Sequence, residues 1–187
     1  PHITNQKVGK ENVRWDFYGH PPPDPNKPKD GWEAKVWPEY LESLLKGFRG
    51  HKNYMIHYAL PPDAYGVYCA NMDIAIAPLE MNNFNDSKSD IKVAECSRYK
   101  IPLVASNVGC YNETIINGET GYLLDPEAPK TEWIKVLTKL IKDKKHREEL
   151  GNNLHERTKD LFDGRKSATL RYDLYMKAFK DTGFKYD

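Results

Sequence analysis

The stretch FNDSKSDIKVAE, residues 84–95, gathers the side chains best suited to chemistry. Ser87, Lys88, Ser89 and Asp90 stand just before Ile91, Val93 and Ala94, where the pattern predicts a helix over 89–98. One of the serines is expected to cap that helix. Its first N–H groups, with the positive end of the dipole behind them, would then point at an anion. Lys88 adds a mobile cation, and the set suits a diphosphate. Glu95 lies two helical turns beyond Lys88, so Lys88, Ile91 or Lys92, and Glu95 are expected on one stripe. A carboxylate there can accept hydrogen bonds from a vicinal diol, as acidic residues do with ribose in dinucleotide sites. The plain alternative is a solvated helix on which Lys92 and Glu95 form a surface pair worth a few tenths of a kcal/mol.

The elements that must position these groups follow from the apolar pattern. Residues 1–12 read as a polar arm, and VRWDFYG (13–19) as a strand ending at Gly19. The proline-rich HPPPDPNKPKDG after it must be a loop, because proline removes donors and biases its predecessor to extended geometry. Helical spacing is clear over 37–48, a strand is expected at 53–60, and a short helix at 62–72 with Asp63 as N-cap. DIAIAPL (73–79) has the composition of a central parallel strand buried on both faces. A polar loop, EMNNFNDSK, separates it from the helix of Glu95, and KIPLVAS (100–106) is the next strand. Two glycine turns bracket a short helix in NVGCYNETIINGETG, YLLDP (122–126) is a last short strand, and 131–187 is helical throughout.

Alternating strands and helices imply an α/β fold, a Rossmann-like parallel sheet with helices on both faces. Ligands bind such sheets outside the carboxyl ends of the strands. Segments 19–31, 60–63, 80–88 and 106–110 are therefore expected at one edge, and the charged stretch starts within it. Residues 13–187 read as one domain, with 131–187 as its closing helices.

Bulk properties exclude several classes. The 187-residue chain carries a formal net charge of +1, against the basic excess of a nucleic-acid binder. A mean hydropathy of −0.77 and the lack of a long apolar run give no membrane span. Cys69, Cys96 and Cys110 are odd in number and widely spaced, which suits a reducing compartment, and they read as buried structural thiols. There is no GxGxxG, GxxxxGK[ST] or HExxH, and the six histidines show no metal-ligand spacing. Only His20 and His57 stand near strand ends, where a structural role is the expectation.

Taken in register, DIAIAPL, Glu95, YKIPLVAS, NVGCYNE, NGETG and YLLDP resemble the donor-binding C-terminal domain of GT-B glycosyltransferases. The likeness is to the large retaining group that acts from nucleotide-sugars (glycosyltransferase family 4-like). It extends through the helical tail after Trp133, including HREELGNN. The resemblance implies a hexosyl-type transferase working in glycan biosynthesis with retention, in the cytoplasm or at a membrane surface. It implies a nucleotide-diphosphate-sugar as donor substrate and no cofactor or metal. Glu95 matches the second glutamate of the family's E-x7-E signature, which binds the donor ribose. Ser87 stands where the first glutamate is kept, so Ser87 and Lys88 occupy the catalytic positions. Asn85, Lys88 and Ser89 are expected beside the diphosphate, Gly19 and His20 near the nucleotide, and Tyr58 near the base. An N-terminal acceptor-binding domain precedes this one in the family, so the chain is expected to be a fragment or a subunit that needs a partner. The serine at 87 also leaves open a degenerate binding or structural subunit, and the absent GxGxxG disfavours a dehydrogenase-like domain.

Overall fold

The structure is a computed structural model and describes residues 13–18, 46, 53–57, 60–61, 64 and 66–183. The chain divides into two compact units, one of 1–74 with 127–147 and the other of 75–126 with 148–187.

In the first unit, β1 (Trp15–Tyr18) pairs in parallel with β2 (Tyr54–His57), with Asp16 opposite Met55 and Tyr18 opposite His57. Asp16 and His57 thus share a face, and His57 Nε2 lies 2.6 Å from Asp16 Oδ1. Arg14 Nε donates to the same carboxylate at 2.8 Å. Burial pushes the Asp16 pKa up, but the bonds from Arg14 and His57 outweigh it and hold the carboxyl below its ordinary value. The Tyr68 ring, on α1 (Gly66–Ala70), stands 5.1 Å from the His57 ring. His57 is therefore hydrogen-bonded and packed against a ring. Helix α5 (Lys130–Lys142) buries Ile134, Leu137 and Leu140 along one stripe. Arg147 closes its end by donating to the Leu140 and Ile141 carbonyls at 2.7 and 3.0 Å.

The second unit holds three parallel strands in the order β3 (Ala75–Ala77), β4 (Leu103–Ser106), β5 (Tyr122–Leu124). All four residues of β4 are buried, whereas Ile76 of β3 is 41% exposed. The expectation that DIAIAPL is buried on both faces is thus corrected: among the described residues KIPLVAS is the fully buried strand, lying between β3 and β5. Composition could not separate them, since both are short runs of small and branched apolar residues. The helices of this unit are α2 (Asn83–Asp86), α3 (Ile91–Arg98), α4 (Tyr111–Thr114), α6 (Lys144–Thr158), which begins in the first unit, and α7 (Gly164–Asp181). Val93, Cys96, Val104, Val108, Tyr111, Leu150 and Leu154 supply much of the core; burying each large aliphatic side chain contributes roughly 1.5–3 kcal/mol.

The glycine at 121 lets β5 run against β4, because a Cβ there would lie 2.8 Å from the Leu103 carbonyl oxygen. Among the described residues, no helix is long and apolar enough to cross a membrane.

Candidate functional site

The site is built where β3 and β4 end. The two strand ends are tied by Leu79 N–H, which donates to Ser106 Oγ at 2.9 Å. Beyond β3 the polar run is not a plain loop. Asn82 Oδ1 accepts from Asn85 N–H at 2.9 Å and starts the single helical turn of α2. The Asn85 side chain donates to the Glu80 carbonyl at 2.8 Å and draws the turn closed.

The glycine turn after β4 meets this segment directly. Gly109 N–H donates to Asp86 Oδ1 at 3.2 Å, and the Cys110 thiol donates to the Lys88 carbonyl at 3.1 Å. Gly109 has φ +60°, and a Cβ on it would stand 2.9 Å from the Asp86 carbonyl oxygen. Both the backbone conformation and the close approach therefore require glycine. Segments 80–88 and 106–110 are brought together as the parallel topology demanded. Gly19, His20 and Tyr58 lie outside the described residues, as does Asp63.

Two expectations about the helix are corrected. Neither serine caps it: α3 starts at Ile91 with Asp90 at the N-cap, where no side chain bonds the helix. Ser87 instead ends α2, its hydroxyl donating back to the Asn83 carbonyl at 2.8 Å. The reason is competition: a serine four residues after Asn83 finds a helical carbonyl within reach before α3 begins. Lys88 likewise precedes α3 and does not continue its stripe. Its ammonium rests over the exposed Phe84 ring, 4.7 Å from the centroid. Such a contact at an exposed site is worth about 0.5–1 kcal/mol. A hydrogen bond to a charged phosphate is worth roughly 1.5–3 kcal/mol, so an anion would draw Lys88 off the ring.

Glu95 does sit on α3, and its Oε2 accepts from Lys92 Nζ at 2.9 Å. The side-chain exposures, 24% for Glu95 and 46% for Lys92, describe a pair at the rim. The surface pair expected as the plain alternative is thus present. It does not exhaust the carboxylate, which offers about four acceptor positions on two oxygens. Ser89 is exposed.

Cys69 and Cys96 are buried as expected, while Cys110 is half-buried. Burial, and then the Asp90 carboxylate, raise its thiol pKa above the ordinary value, contrary to the setting of a reactive thiolate. Among the described residues, no group of three or more His, Cys, Asp or Glu is placed to hold a metal ion. The contributions of Asp86, Cys110 and Phe84 had no local signal, because the first two act across 23 and 22 residues of chain. The glycine in NVGC was the one legible hint.

Comparison with known proteins bears on this geometry. The family described as "Glycosyl transferases group 1" matches residues 36–157, well over half of the chain. The capsular polysaccharide biosynthesis glycosyltransferase CapM of Staphylococcus aureus is 28% identical over 92 residues, covering 49% of this chain and 23% of CapM. Among solved structures, sucrose-phosphate synthase from Thermosynechococcus elongatus superposes with a TM-score of 0.72 at 18% identity, over 95% of this chain and 42% of that one. Anabaena HepE in complex with UDP gives 0.60 at 13% identity, over 93% and 52%. The α/β fold with parallel strands is that of GT-B glycosyltransferases. The chain spans less than half the length of CapM or of the synthase.

Proposed function

The chain belongs to the glycosyl transferases group 1 family, and from that premise we propose that it forms the nucleotide-sugar-binding part of a hexosyl-type glycosyltransferase. The sugar passes from a nucleoside-diphosphate donor to an acceptor with retention. An N-terminal domain or a partner chain supplies the acceptor site.

The observation that carries this reading is the clasp of segment 80–88 against the Gly109 turn, inside the family match. It sets Lys88, Ser89 and the first turn of α3 at the carboxyl edge of the sheet, with Glu95 one turn further along. In this reading Lys88 and the helix-end amides receive the diphosphate, and Glu95 accepts from the ribose hydroxyls. The acceptor hydroxyl attacks from the face the diphosphate leaves. Fixed donors that neutralise the departing phosphate supply most of the stabilisation, and no metal is needed for it.

Titration calorimetry with a panel of nucleoside diphosphates tests the reading. UDP, with which Anabaena HepE was solved, is the first probe. One member should bind, and Lys88→Ala and Glu95→Ala should each weaken it about ten-fold, the loss of one charge-assisted hydrogen bond. If no nucleoside diphosphate binds and Glu95→Ala changes nothing, the donor site is refuted.

A second reading, a catalytically degenerate binding or structural subunit, is favoured by one observation. The Ser87 hydroxyl, in the position of the family's first glutamate, is turned onto the Asn83 carbonyl. Nucleoside diphosphate binding with no sugar transfer, even when the acceptor half is supplied, would select it.

A further inference from the structure

We propose that Asp86 is a positioning residue for the donor loop, acting through the Gly109 amide; this rests on the donor-site reading above. Lys88 and Ser89 lie on a stretch with little burial of its own: Phe84, Asp86, Ser87, Lys88 and Ser89 are all exposed. A segment with so few buried contacts opens locally at small free-energy cost, and two cross-chain bonds oppose that opening. One is Gly109 N–H to Asp86 Oδ1 at 3.2 Å; the other is the Cys110 thiol to the Lys88 carbonyl at 3.1 Å. The thiol is a weak donor, so Asp86 carries the larger share.

The chemistry of residue 86 limits what its carboxylate can do. A carboxylate beside a diphosphate repels it, so on charge alone this position should disfavour an acid. The acid is useful only as an acceptor, and its bond is charge-assisted. Gly109 completes the device, since the backbones approach too closely for a side chain. Asp86 then fixes where Lys88 starts its reach, and Lys88 needs only to leave the Phe84 ring.

The test compares Asp86→Asn with Asp86→Ala in the full 187-residue chain. Both variants remove the charge, but only asparagine keeps an oxygen for the Gly109 amide. Their difference therefore isolates the clasp from the electrostatics. UDP should bind the alanine variant about three- to ten-fold more weakly than the asparagine variant, the range of one hydrogen bond. Without ligand, amide hydrogen exchange at Gly109 should be faster in the alanine variant than in the asparagine variant by a similar factor, and slowest in the unaltered chain, whose bond is charge-assisted. Equal exchange at Gly109 in the two variants overturns the clasp. Faster exchange with equal UDP affinities overturns its role in positioning the donor. Failure of the unaltered chain to bind any nucleoside diphosphate refutes the donor reading itself, and the positioning role with it.

Discussion

The two ends of α3 are held in opposite ways. At its C-terminal end the contacts are buried and tight. Gly151 of α6 lies so close to the turn after α3 that a Cβ would stand 1.8 Å from the Lys100 carbonyl oxygen. Lys100 itself has φ +56°. Ser97 and Thr158, 3% and 1% exposed, place their hydroxyl oxygens 2.7 Å apart, and Thr158 Oγ1 is also 2.7 Å from the Leu154 carbonyl. With one proton on each hydroxyl, the consistent arrangement has Thr158 donate to the carbonyl and accept from Ser97. His155 Nδ1 donates to the Ser97 carbonyl at 3.0 Å.

At the N-terminal end the contacts are exposed: Asp86 with Gly109 at 3.2 Å, Cys110 with Lys88 at 3.1 Å and Lys92 with Glu95 at 2.9 Å. One end of the helix is anchored in the core, and the other carries the exposed polar pairs at the proposed donor site. Buried and exposed contacts are thus separated along about 12 Å of helix, at 1.5 Å per residue.

The strongest way to break this comparison is Gly151→Ala. The obstacle is a backbone carbonyl, which cannot swing aside, so the variant should lose about 3 kcal/mol. At 2–4 °C per kcal/mol for a chain of this size, the melting temperature should fall by roughly 6–12 °C. An unchanged melting curve would show that α6 does not anchor α3.

A smaller effect is expected from Thr158→Val, which keeps the shape but leaves the Ser97 hydroxyl without its acceptor. That should cost about 1–3 kcal/mol by chemical denaturation. A Ser97→Ala, Thr158→Val double variant should recover part of the loss, because the stranded group is then gone.

The smallest effect concerns the exposed end. Cys110, half-buried and with its pKa raised, should be alkylated at pH 8 without unfolding, though more slowly than a free thiol, and its rate should keep rising above pH 9. Buried Cys96 should react only on the unfolding timescale. Equal rates for the two thiols would erase the contrast between the ends.

Much of this was legible from residues alone. The alternation of apolar runs with helical spacing led to parallel strands and to segments 80–88 and 106–110 as neighbours, because a crossover returns each chain to the same edge. The glycine turn at Gly109 and the pairing of Lys92 with Glu95 were local and were read correctly. The serine cap and the Lys88 stripe were not, since Asn82 started a helical turn that captured Ser87 first. That outcome depended on two overlapping local signals of similar strength.

The sequence by itself determined the class of fold, the family likeness and the residues proposed to meet a diphosphate and a diol. These depend on composition and spacing within one or two helical turns, which the chain carries wherever it folds. Only the tertiary structure decided that β4 is the fully buried strand between β3 and β5, that Asp86 receives Gly109, and that Gly151 seats the far end of α3. Those contacts join groups from 18 to 51 residues apart, within reach only once the sheet has formed. No local preference specifies such a partner; the packing that excludes water around it does.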